Sequence, residues 1–185
     1  MGTKYCSPMK SLTSRTAFLV LVVAALMGLP FRSQAAYDIY MSFTGVATNT
    51  PINSLQWGVG RGISSPTGGI REATTPSFSE VTISKMMDST SPMLAKLAAN
   101  GDGTATCVIT IKHRTSGTAL YTLTLEKVFI SGYNVSSGGD VPSESISLNY
   151  TRITWVYQQL DGSGNPLGKA STQMGWDLAK QSPIP

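Results

Sequence analysis

The sequence predicts a mainly β domain, an antiparallel barrel or sandwich with one short α-helix against it. Three observations carry this. From Tyr37 onward, short runs of alternating apolar and polar residues are separated by Gly, Pro, Ser, Asn and Asp. A single segment changes to a helical period. About seven or eight strand-like runs follow one another without an internal repeat, which is the pattern of one antiparallel sheet system.

Taken in order, "YDIYMSF" alternates and stops at Gly45, and "INSLQWGVGRGI" reads as a strand until its glycines. The segment "SSPTGGIREATTP" that follows reads as a loop of unusual length, and loops that long are generally functional or disordered. "SFSEVTISKM" puts Val81 and Ile83 on one face. In "TSPMLAKLAANG", Pro92 suits a first helical turn and Asn100-Gly101 a C-terminal stop, with Met93, Leu94, Leu97 and Ala98 sharing a face. "TATCVITIKH" sets Cys107, Ile109 and Ile111 opposite Thr106, Val108 and Thr110, and "ALYTLTLEKVFISGYN" sets Tyr121, Leu123 and Leu125 on one side. In "ESISLNYTRITWVYQQL" the apolar parity switches from Ile146, Leu148 and Tyr150 to Ile153, Trp155 and Tyr157. A switch of this kind predicts a bulge or a barrel corner. "DGSGNP" is a turn, and "TQMGWDLAK" closes the sheet. Trp57, Trp155 and Trp176 are read as core residues, because all three fall in predicted strands.

Ahead of these strands, the apolar run from Ala17 to Leu29 is far short of the roughly 20 residues a membrane-crossing helix needs. It follows Lys4, Lys10 and Arg15 with no acidic residue, and precedes Ser33 and Ala35, small residues suited to a signal peptidase. Residues 1–35 are therefore read as a secretory signal, cleaved after Ala35 or alternatively after Ala36, with Met9 as a second candidate start. The domain would occupy 36–185, and its expected location is secreted or periplasmic. The whole chain carries 14 basic and 10 acidic side chains. Removing Lys4, Lys10, Arg15 and Arg32 leaves 14 minus 4, or 10, basic against 10 acidic, a balance of zero. No surplus of Lys and Arg remains to favour nucleic acid or acidic lipid as a partner. Cys107 is the one cysteine outside the signal, so the domain has no internal disulfide and is held by packing. On its apolar strand face it reads as an inert core thiol.

No catalytic, cofactor or metal site is expected. His113, the only histidine, stands at a strand end beside Lys112 and Arg114 with no nucleophile motif in the chain. One His and one Cys cannot make the usual zinc sets. "GVGRG" at 58–62 lacks the helix that a dinucleotide loop needs, and "SSGGD" at 136–140 reads as a flexible turn. Glu72, Glu80, Asp88 and Glu126 offer carboxylates, but their spacing pairs no two of them.

Read in order, "DIYMSFTG", "SLQWGVGRG", "FSEVTISKMMDSTSPMLAKLAANG", "YTLTLEKVFISGYNVSSGGDVPSESISLNYTRITWVY" and "GWDL" resemble the Hcp family, the haemolysin-coregulated proteins of type VI secretion. The most specific pieces are "SKMMDSTSP" leading into the helix and the pair "LEKVFISGY" and "ESISLNYTRITWVY". The resemblance covers residues 37–180, whereas family members typically lack a cleaved signal.

The resemblance implies a β-barrel of two sheets with a helix on one side, like a phage tail-tube subunit. It implies a six-membered ring of this chain, stacked into a tube whose lumen can carry small effector proteins, with other secretion components as further partners. It makes the glycine-rich segment an inter-subunit loop, formed by Gly60, Arg61, Gly62, Ile63, Ser64, Ser65, Pro66, Thr67, Gly68, Gly69, Ile70, Arg71 and Glu72. A small, Gly- and Ser-rich loop has little to order it alone, and a partner surface can do so. The function expected is a non-catalytic structural subunit. The alternative is an exported barrel of this type acting alone as a secreted or surface binding protein.

Overall fold

The computed structural model describes residues 2, 36–64, 71–103, 105–168 and 171–184. The predicted signal and its cleavage site after Ala35 lie outside them, as do Ser65 to Ile70 of the glycine-rich segment. From Ala36 onward the chain forms one compact unit. Its elements are β1 (Tyr37–Phe43), β2 (Ala47–Ile52), β3 (Ser54–Gln56), β4 (Val59–Gly60), β5 (Ile63–Ser64), β6 (Glu72–Ala73), β7 (Ser77–Phe78) and β8 (Val81–Met86). After α1 (Ser91–Asn100) come β9 (Ala105–His113), β10 (Ala119–Ser136), β11 (Ser143–Asn149), β12 (Arg152–Tyr157), β13 (Thr172–Asp177) and β14 (Ser182–Ile184).

The barrel closes through two strands that serve both sheets. β1 pairs with β2 and β9, and β9 pairs with the first half of β10. The second half of β10 pairs with β11, β11 with β8, and β8 with β3. β2 and β3 are one run interrupted at Asn53, whose N–H donates to the Ser84 carbonyl at 2.7 Å. The ladder is thus continuous from β1 round to β1, and every pairing is antiparallel. β12, β13 and β14 extend from the first half of β10 as a wing.

The predicted parity switch is a corner. β11 and β12 run along the same edge of β10 and break at Tyr150–Thr151, opposite Lys127, which adopts φ 52°. At the same level the register between β9 and β10 shifts, so β10 turns Leu125 and then Val128 inward. One extra residue bends the strand and flips its buried face. The core joins Met41, Phe43, Cys107, Ile109, Leu123, Leu125, Val128 and Ile153 from one sheet to Val81, Ile83, Ile146 and Leu148 from the other.

The helix ends as predicted, with Gly101 left-handed at φ 69° and its N–H on the Leu97 carbonyl. Leu94 is fully buried and Leu97 and Ala98 pack on the core. Met93 is not part of that face; it is exposed, being one residue round the helix from Leu94. Beyond the helix, Phe129 lies over Gly103 so closely that a Cβ there would enter its ring.

Candidate functional site

The glycine-rich segment is not a plain loop. Its described residues form a two-stranded arm, separate from the main sheet, in which Val59 pairs with Phe78, Gly60 with Ser77, Ile63 with Ala73 and Ser64 with Glu72. Gly58 donates to Ser79 Oγ at 2.8 Å and receives the Ser79 N–H at 2.9 Å. Further out, Gly62 donates to Thr74 Oγ1 at 2.9 Å and its carbonyl accepts the Thr74 N–H at 2.9 Å. Seven residues from Gly58 to Ser64, at about 3.3 Å each, give the arm a reach of roughly 20 Å. Glycines at alternate positions 58, 60 and 62 leave little side-chain bulk on that strand, whereas Val59 and Ile63 are 55% and 59% exposed. Of the thirteen residues expected in an inter-subunit loop, Gly60 to Ser64 and Arg71 to Glu72 therefore lie in or beside the arm's ladders.

Both roots of the arm rest on aromatic rings. Trp57 tilts against Trp155 of β12 with centroids 5.5 Å apart, and Phe78 stacks on Trp176 of β13 at 6.0 Å. All four rings are half-buried and pack on the rim of the core. The expectation of three core tryptophans in strands is met in part. Trp155 and Trp176 do lie in strands, β12 and β13, with the arm's roots as their cover, whereas Trp57 follows β3, and all three pack against the core without being sealed in it. Apolar side chains remain exposed on the same wing, with Tyr157 at 47% and Met174 at 58%.

A second feature went unread in the sequence. Lys85 and Glu144 pair across β8 and β11 with both side chains sealed from solvent, Nζ to Oε2 being 2.9 Å. The ammonium also reaches Asp88 Oδ1 at 3.1 Å and Ser91 Oγ at 3.2 Å, and Tyr133 donates to Glu144 Oε1 at 2.7 Å. Burial works to raise the Glu144 pKa, but the Ser91, Tyr133 and Lys85 donors outweigh it and hold the carboxyl below its usual range. The Tyr133 hydroxyl is pushed up to about 12 by burial and by that carboxylate. The signal was present, since the alternation of Val81 and Ile83 continues to Lys85, and that of Ile146 and Leu148 runs back to Glu144.

The other carboxylates are dispersed. Glu80 accepts from Asn149, Glu126 faces Arg152, and Glu72 stands on the arm. His113 ends β9 as predicted, its Nδ1 3.2 Å from Ser116 Oγ and its ring edge-on to Tyr37. Ser116 in turn donates to the Gly164 carbonyl, so this corner ties the predicted "DGSGNP" turn to the β9–β10 connection. Cys107 is buried, which pushes its thiol up to about 12. Among the described residues no three His, Cys, Asp or Glu side chains gather to hold a metal ion, and no helix is long and apolar enough to cross a membrane.

Residues 44–157, from the β1–β2 turn to the end of β12, match the family described as "Type VI secretion system effector, Hcp". The chain belongs to the Hcp family. Among solved structures, it is similar to one described as a type six secretion system protein, at 26% identity and a TM-score of 0.72, over 80% of this chain and 100% of that one. Hcp1 from Salmonella typhimurium has the same fold at 16% identity and a TM-score of 0.63, over 81% of this chain and 100% of that one. A type VI secretion system effector from Yersinia pestis shares it at 15% identity and 0.54, over 76% and 99%. No curated protein matches. The Hcp match begins after β1 and takes in the arm, the helix, the β10–β12 corner and Trp155, whereas Trp176 on β13 lies beyond it.

Proposed function

We propose that this Hcp chain is a non-catalytic structural subunit of a type VI secretion tube, assembling as a six-membered ring that stacks and can carry small effectors in its lumen. The arm is the single observation that carries the reading. It stands outside the barrel's sheet, exposes Val59 and Ile63, and, among the described residues, its strands pair only with each other. Apolar residues on a projecting ribbon are stabilised by a second surface, and a closed ring supplies one to every copy. On this reading residues 1–35 export the chain and are removed after Ala35, leaving 36–185 to assemble.

Native mass and negative-stain imaging of the chain begun at Ala36 test this. Six-fold rings support the subunit. A clean monomer at high concentration overturns it and favours the second reading, an exported barrel acting alone as a binding protein. That reading draws on the exposed Tyr157 and Met174 of the wing.

A further inference from the structure

The arm leaves the barrel between β3 and β8 but is held by strands to which it does not belong. Trp57 is its outgoing root and Phe78 its returning root, and each rests on a tryptophan of the wing. The two supports stand on neighbouring strands, since Ile153, two residues before Trp155, pairs with Trp176. One stacked pair leaves a ribbon free to pivot; two pairs side by side give it a direction. Trp176 Nε1 is shielded from solvent and has no acceptor among the described residues, so no hydrogen bond sets that indole and the stack with Phe78 does.

These rings pack against the fully buried core and are not part of it. Met41, Ile109, Leu123, Leu125 and Ile153 are fully buried and line the first sheet, whereas Trp57, Phe78, Trp155 and Trp176 pack outside them. We propose that Trp155 and Trp176 are positioning residues that aim the arm at a second copy of this chain. The proposal rests on the reading of the arm as the inter-subunit contact. A ribbon already aimed loses less conformational freedom on docking than one that swings, so the clamp strengthens assembly without touching the partner.

The test uses the chain begun at Ala36 with spin labels at Glu72→Cys on the arm and Lys96→Cys on α1, diluted into unlabelled chain; the buried Cys107 takes no label. Trp155→Ala and Trp176→Ala are expected to broaden the label-to-label distance distribution and to lower the ring population at fixed concentration at least tenfold. Cooperative unfolding is retained, and Phe at either position restores both readouts. Phe78→Ala removes one stack from the arm side and serves where a wing variant fails to fold. An unchanged distance distribution, or rings at the unsubstituted level, overturns the clamp. Deleting residues 59–77, which removes the arm with Val59 and Ile63 but keeps its roots, separates the two ideas. Rings that persist without the arm overturn the reading beneath the clamp, whereas rings lost on deletion but kept in the clamp variants overturn the clamp alone.

Discussion

Lys85 and Glu144 face each other across β8 and β11 at 2.9 Å, with both side chains fully out of solvent. They sit under the first turn of α1, where Ser91 accepts from Lys85 and from the Asp88 N–H. Glu144 in turn takes the Tyr133 hydroxyl from β10. The pair therefore ties the helix to the second sheet by charge where the apolar core has run out.

Removing one partner strands the other. Lys85→Met is expected to cost about 3–5 kcal/mol, because it leaves a buried carboxylate facing a methyl group. The double variant Lys85→Met/Glu144→Leu should recover most of that loss. Urea unfolding of the three proteins measures it, and a single variant within about 1 kcal/mol of the unsubstituted domain would refute the assignment.

Acid should loosen the same region. The Glu144 and Asp88 carboxyls are both held below their ordinary values of 4.5 and 3.8. A group with a depressed folded pKa lends stability above its unfolded pKa and withdraws it as pH falls toward the folded one. Stability is thus expected to be flat from neutral pH to about 5 and to decline below it. Lys85→Met/Glu144→Leu should flatten that decline, which thermal melts across pH 3 to 7 would read.

Cys107 should ignore alkylating reagents in the folded domain. Its thiol is fully buried and pushed up to about 12, so the reactive thiolate is scarce and out of reach. Mass spectrometry after iodoacetamide should show no adduct in buffer and full labelling in denaturant. A fast native reaction would mean that β9 opens readily.

Gly103→Ala is expected to destabilise by about 1–2 kcal/mol, the order found for an overpacked methyl group. The cause is a collision with Phe129 and not backbone strain, because Gly103 does not occupy the left-handed region. Phe129→Ala/Gly103→Ala should therefore cost less than the sum of the single changes, as a double-mutant cycle would show.

The strands that alternate cleanly are legible in the sequence. β1 and β9 stand where their patterns placed them, with Ile39, Met41, Ile109 and Ile111 turned to one side. The helix and its Gly101 stop were equally plain, because Pro fixes φ and Gly enters the left-handed region without strain, whatever surrounds them. The arm was half legible. Its glycines announced an exception, but the ladders pairing Val59 with Phe78 and Ile63 with Ala73 join strands of two residues each, too short to show a period. The tryptophans misled in part, since a large apolar residue near a strand is most often core and these instead pack on its rim.

By itself the sequence determined the fold class, the helix with its stop, the corner after Tyr150 and the likeness to Hcp. All of these are written in local periods, turn residues and ordered motifs. Only the tertiary structure decided how β2–β3 and β10 close the barrel, that Lys85 finds Glu144, and that Trp57 and Phe78 find Trp155 and Trp176. Those partners lie between 59 and 98 residues apart in the chain. A local pattern says which way a side chain faces, but what it meets depends on strand register, and register is settled by the whole core at once.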